Sequence, residues 1–182
     1  VDGGPLGDIR LKDWRENVGY LLQGNPIIQG PIRENITYGV HRAFTEEELV
    51  DAAKKAKAYN FIQEKENGFD TQISRFDNKY SGGEMQRIAI ARMILKRPEI
   101  LIMDEATSGI DVISEHEVME ALMNLMAGKT VIMVSHDMEM IRRADNLIVL
   151  NGGQVEASGD FHQVAAASPL FQAFLDKGGY LV

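Results

Sequence analysis

At 182 residues the chain is long enough for one ordinary domain with a full core and too short to promise two. Hydrophobic residues make up 45% and charged residues 25%, the balance of a globular chain, while a net charge of −8 excludes a general nucleic-acid surface, which needs clustered Lys and Arg. No cysteine is present, so disulfides and thiolate metal sites are excluded and a reducing compartment is the simple reading. No apolar run approaches the ~20 residues of a membrane-spanning helix. The first eight residues have neither the basic start nor the apolar centre of a signal peptide and read as a turn inside a longer protein.

There is no internal repeat and no low-complexity segment. Residues 18–22, an apolar run with Tyr20, predict a buried strand ending at Gln23, a place where chemistry often sits. From Gly24 to Arg97 the pattern is mostly helical. Thr45 predicts an N-cap before Glu46, Glu47 and Glu48, whose charges suit the helix dipole, with Leu49, Ala52, Ala53 and Ala56 at helical spacing. A second helix is predicted over 60–66, stopping at Gly68, and a third from Gly83 through Ile88, Ala91, Ile94 and Leu95 to Pro98. Short apolar runs then alternate with helices, the texture of a parallel sheet with crossover helices. Residues 100–103, 131–134 and 147–150 are the predicted strands of that sheet. Asn151-Gly152-Gly153 predicts a turn from 147–150 into a strand at 154–157, and the amphipathic tail 161–175 predicts two short helices.

Tyr80-Ser81-Gly82-Gly83-Glu84-Met85-Gln86-Arg87 stands directly before a long helix. A serine hydroxyl and two residues without side chains at a helix N-terminus can close on an anion, although Ser-Gly-Gly alone reads equally well as a helix cap with a turn. Ile100-Leu101-Ile102-Met103-Asp104-Glu105 is an apolar strand ending in two carboxylates. The first can hold Mg²⁺ and the second can orient and deprotonate a water, but two acids after a strand also serve as a mere solvated loop start. Ser135-His136-Asp137 ends a further strand with an imidazole that could touch a terminal phosphate; a lone His is more often structural. The nine methionines read as core filling, and Lys54, Lys55 and Lys57 as a solvated helix face.

Together and in this order these features resemble the ATP-binding-cassette (ABC) transporter family. Gln23 matches its Q-loop, residues 81–86 its signature motif, Asp104 and Glu105 its Walker B acid and catalytic glutamate, and His136 its switch histidine. Ala106-Thr107-Ser108-Gly109-Ile110-Asp111 matches its D-loop region, so the resemblance covers essentially the whole chain. Gly30-Pro31-Ile32-Arg33-Glu34-Asn35-Ile36 with Tyr38-Gly39 looks like the segment after the Q-loop in exporters. The resemblance implies a P-loop NTPase-like (RecA-like) α/β fold: a mostly parallel core sheet with an inserted helical subdomain, its N-terminal part missing. As one incomplete domain, it would run from a core strand and Q-loop (1–23), through a helical signature subdomain (24–97), to the Walker B and H-loop core with C-terminal helices (98–182).

The resemblance further implies ATP and Mg²⁺ as cofactors. Glu105, His136 and Gln23 would be catalytic, and Ser81, Gly82, Gly83, Glu84 and Asp111 would bind nucleotide, with Asp104 and Gln23 serving the metal. Its partners would be a transmembrane domain and a second nucleotide-binding domain, with no nucleic acid, at the cytoplasmic face of the cell membrane. Several positions depart from the family pattern. Glu84 replaces the commoner Gln of the signature and Tyr80 its commoner Leu, Pro31 stands for Thr and Gly109 for Ala, and residues 71–77 lack the Gly-Glu phrase expected before the signature. No G-x-x-x-x-G-K-[ST] occurs, so the chain by itself is expected to bind Mg-ATP poorly. A non-transport ABC ATPase and an inactive binding or regulatory fragment remain as other readings.

Overall fold

The structure, a computed structural model, describes residues 1–22, 27–74, 80–107, 110 and 112–178. In chain order the helices and strands are α1 (Leu11–Asn17), β1 (Val18–Leu22), β2 (Gly30–Pro31), α2 (Ile32–Thr37), α3 (Glu46–Lys55), α4 (Tyr59–Gln63), β3 (Gln72–Ile73), α5 (Gly82–Lys96), β4 (Ile100–Asp104), α6 (Val112–Met126), β5 (Thr130–Val134), α7 (Met138–Arg143), β6 (Leu147–Asn151), β7 (Gln154–Gly159), α8 (Phe161–Ala167) and α9 (Pro169–Asp176). They fall into two compact units, Val1–Met133 and Val134–Val182.

The predicted strand at 18–22 forms as β1 and lies parallel to β4, with Val18 opposite Ile100 and Leu22 opposite Asp104. β5 completes a sheet of order β1-β4-β5. At the start of the strands Glu99 N–H donates to Asn17 O and Thr130 N–H to Glu99 O, so the three chains enter the sheet in step. Alternation decides what each face meets: Gly19, Leu21, Leu101 and Met103 lie on one face and are buried, whereas Tyr20 (46%) and Leu22 (43%) on the other face are exposed, as is Ile132 (58%) of β5. Helix α5 packs against β1 and also against α2, α3 and α6. Surrounded in this way it is buried almost all round, through Ile88, Ala89, Ile90, Ala91, Met93 and Leu95. Gly19 admits its far end, because a β-carbon there would stand 2.8 Å from Pro98 Cγ and 3.1 Å from Met93 Sδ. This is the expected α/β architecture, a mostly parallel core sheet flanked by helices with helical insertions.

The helical stretch between β1 and β4 is built on local signals. Thr45 caps α3 with a complete capping box, its Oγ1 accepting from Glu48 N–H while the Glu48 carboxylate accepts from Thr45 N–H. The helix predicted at 60–66 is shorter, Tyr59–Gln63, and gives way to a single 3₁₀ turn at Gly68–Asp70. Asn35, fully buried in α2, accepts from Ile28 N–H (2.9 Å) and donates to Ile28 O (3.0 Å) and Pro31 O (3.1 Å). Arg92 of α5 donates to Asn35 O (2.7 Å) beneath the ring of Tyr38, and burial pushes its pKa down. The segment just beyond residue 26 is thereby tied to α5.

In Val134–Val182, β6 pairs antiparallel with β7 in a two-stranded sheet of its own, with a bulge at Val149/Leu150. This corrects the expectation that 147–150 joins the core sheet. Gly152 and Gly153 both take positive φ (57° and 79°), so the chain reverses at once and β6 meets its nearest neighbour in sequence. Helices α8 and α9 pack on the hairpin. Their core is Ile141, Ala157, Val164, Phe171 and Phe174. No helix among the described residues is long and apolar enough to cross a membrane.

Candidate functional site

Asp104 closes β4 and is exposed, and Glu105 follows half-buried. Glu105 carries φ of +47°, a left-handed backbone that side chains rarely adopt and that costs of order 1 kcal/mol. Ala106 is buried again, and its carbonyl accepts a buried hydrogen bond of 2.8 Å from Gln86 Nε2 in α5. A turn at the end of a strand is thus held in a strained shape by a side chain from the helix that begins at Ser81.

Ser81 is the N-cap of α5, again with a full capping box. Its Oγ accepts from Glu84 N–H (3.1 Å), and Glu84 Oε2 accepts from Ser81 N–H (2.8 Å). The cap and the anion-binding readings of Ser-Gly-Gly therefore concern the same atoms, a polar helix end with its first turn set in place. Gly83 is buried against α6, where a β-carbon would lie 2.3 Å from Ser114 Cβ. One turn on, Arg87 is buried, ion-paired with Glu117 of α6, with its guanidinium 5.1 Å from the Phe61 ring centre. Three consecutive contacts, at Gly83, Gln86 and Arg87, bind the start of α5 to α6 and to the acidic strand end.

Lys65, which carries no motif, belongs here as well. Its Nζ lies 3.8 Å from Glu84 Oε1 and 4.9 Å from the Tyr80 ring centre. The signal that could have found it is the pair of departures from the family pattern at positions 80 and 84, which share this one partner.

His136 follows β5 at the start of the second unit and is exposed. Its neighbours are occupied locally, since Ser135 Oγ accepts from Asp137 N–H and the Asp137 carboxylate caps α7 through Glu139 N–H and Met140 N–H. Gln23 and Asp111, with Ser108 and Gly109 of the D-loop region, lie outside the described residues. The structure thus places Ser81, Gly82, Gly83 and Glu84 at the start of the helix whose Gln86 bonds the carbonyl of Ala106, two residues beyond Asp104. Among the described residues no group of three or more His, Asp and Glu side chains forms a ready metal cage. The donor chemistry nevertheless fits Mg²⁺, which takes one or two carboxylates plus phosphate oxygens and water.

A Gly-Lys-Thr does occur, at Gly128-Lys129-Thr130, but in the wrong place for a phosphate cradle. Gly128 has φ of +71° just beyond α6, and Thr130 opens β5, so the order is helix, turn, strand. A P-loop needs strand, loop, helix, with the helix N-terminus facing the phosphates.

The ABC transporter family profile matches residues 1–108. A multidrug resistance ABC transporter ATP-binding and permease protein of Lactococcus lactis is 36% identical over 177 residues, covering 97% of this chain and 30% of that protein. An ATP-dependent lipid A-core flippase of Syntrophus aciditrophicus is 41% identical over 159 residues, 87% of this chain and 26% of the relative. ABC transporter B family member 14 of Arabidopsis thaliana is 39% identical over 171 residues, 94% and 14% respectively. The chain spans less than a third of the length of each of these relatives. The fold, the acidic strand end and the Ser81 helix agree with the profile match: the chain belongs to the ABC transporter family as an ATP-binding domain, a class whose typical activity is ATP hydrolysis.

Proposed function

We propose that this chain works as the ATP-hydrolysing domain of a membrane exporter, paired head to tail with a second such domain so that Ser81, Gly82 and Gly83 close over nucleotide held by the opposite subunit. The observation that carries this reading is the buried Gln86–Ala106 bond, which joins the anion-suited end of α5 to the Asp104-Glu105 turn. The bacterial relatives, named for multidrug resistance and lipid A-core flipping, support export, and the permease part in the Lactococcus protein supports a transmembrane partner.

In the reaction, water attacks the γ-phosphorus, the bond to the bridging oxygen breaks, and ADP and phosphate leave. Bound Mg²⁺ supplies charge neutralisation at the phosphate oxygens, and Asp104, with Gln23, would hold it. Glu105 accepts the proton of the attacking water, and the left-handed turn held by Gln86 sets the direction of its side chain. His136 stabilises the terminal phosphate, and Glu84 and Asp111 complete the face toward the opposite nucleotide. The phosphate cradle comes from outside these 182 residues, so the chain by itself has little hold on Mg-ATP.

Glu105→Gln in the full-length protein separates binding from turnover. It keeps the shape and removes the base, so ATP still binds and holds the two domains together while kcat falls ~10²-fold or more. Asp104→Asn instead weakens Mg²⁺-dependent binding. Near-normal turnover of Glu105→Gln, measured by phosphate release, would overturn the general-base assignment.

A further inference from the structure

A carboxylate at position 84 is an awkward neighbour for phosphate. Glu84 lies at the third position of α5, its Oε2 bound to Ser81 N–H, so a negative charge sits within one turn of the helix end that faces nucleotide in the reading above. Its other oxygen, Oε1, lies 3.8 Å from Lys65 Nζ, and the two side chains are only 27% (Lys65) and 18% (Glu84) exposed. Lys65 is held from both sides. Its backbone N–H donates to Ile62 O and its carbonyl accepts from Gly68 N–H, while its ammonium rests 4.9 Å from the Tyr80 ring centre. A cation over an aromatic face and beside a carboxylate, with little water around it, is fixed more firmly than a surface lysine.

We propose that Lys65 is a positioning residue that neutralises Glu84, and that Lys65, Tyr80 and Glu84 together let a signature carrying Glu in place of Gln close over the terminal phosphates of ATP. The inference rests on the head-to-tail reading and deepens it, assigning to that site a cation outside the signature motif itself. Tyr80 has the matching part: its ring seats the ammonium beside the cap. The device is electrostatic, so it acts on the approach of an anion and leaves the proton transfer at Glu105 untouched.

The test is a charge-removal cycle in the full-length protein: Lys65→Gln, Glu84→Gln, and both together. Lys65→Gln is expected to raise the KM for ATP ~5-fold with kcat within twofold of wild type, an effect that shrinks at high salt. In the Glu84→Gln background, Lys65→Gln is expected to change KM by less than about twofold, because the charge that needed neutralising is gone. An unchanged KM in Lys65→Gln, or the same fold-change in KM from Lys65→Gln with and without Glu84→Gln, overturns the proposal. Should the wild type itself show no ATP turnover, the proposed function fails. The lysine is then judged by the same cycle read as thermal unfolding of the 182-residue chain, where coupling between positions 65 and 84 supports the tie and zero coupling overturns it.

Discussion

A β-carbon on residue 83 would come within 2.3 Å of Ser114 Cβ, closer than two such atoms ever approach. Replacing Gly by Ala inside a helix ordinarily gains about 1 kcal/mol, so the contact reverses the usual sign. Gly83→Ala is expected to cost ~1–3 kcal/mol as α5 and α6 are forced apart. Urea unfolding of the chain measures it, and a rise in the midpoint would mean that α6 does not approach there. The displacement also reaches the acids, since Gln86 lies one turn along the same helix and holds Ala106. None of this could be read from the motif. Ser81 and Glu84 announce a capping box because cap and partner are three residues apart, whereas Ser114 and Lys65 meet α5 from distant parts of the chain. The left-handed backbone at Glu105 was equally hidden, because the residue type argues against it and the bond to the next carbonyl comes from a helix distant in sequence.

Among elements, one carboxylate ties the start of α9 to the β6–β7 hairpin beside their shared apolar core. Glu156 Oε1 accepts from Ser168 Oγ (2.5 Å) and Leu170 N–H (3.2 Å) at the start of α9, and Oε2 accepts from Asn151 Nδ2 (2.7 Å). The bond from Ser168, then those from Asn151 and Leu170, hold its pKa below the ordinary 4.5. A lowered pKa means that the folded form favours the ionised carboxylate. Its contribution is therefore complete above pH 4.5 and is lost as pH falls through the folded value. Amide exchange in α9, corrected for intrinsic rates, is expected to speed up relative to α8 in that acid range, and Glu156→Gln to flatten the dependence. Equal pH dependence in wild type and variant would remove the assigned role. The same hairpin shows what was and was not legible: Asn151-Gly152-Gly153 announced the turn from β6 into β7, whereas placing 147–150 in the core sheet failed because an apolar run reads alike in a parallel sheet or a hairpin. The N-cap at Thr45 and the strand at 18–22 were legible because their signals are local.

For the molecule as a whole, one face of the core sheet is covered by α5 while Tyr20, Leu22 and Ile132 stand exposed on the described strands. Apolar surface in strands, with the backbone of β1 and β5 at the sheet edges, favours association with other chains. The 182-residue chain is expected to sediment as a mixture of monomer and larger species, and Mg-ATP is expected to leave that distribution unchanged for want of a phosphate cradle. A single monomeric boundary with a sharply cooperative melt would contradict the first statement, and a shift on adding nucleotide the second.

The register of β1 on β4 also sets a timetable. Val18 finds Ile100 only after about eighty further residues have been made, which at roughly 5–20 residues per second leaves the first strand without its partner for ~4–16 s on the ribosome. Hairpin β6–β7, by contrast, closes within microseconds of emerging. During synthesis the apolar run at 18–22 is thus the longest-waiting surface of the sheet, the stretch where a chaperone has the most time to bind and where slowing translation before residue 100 would most increase misassembly.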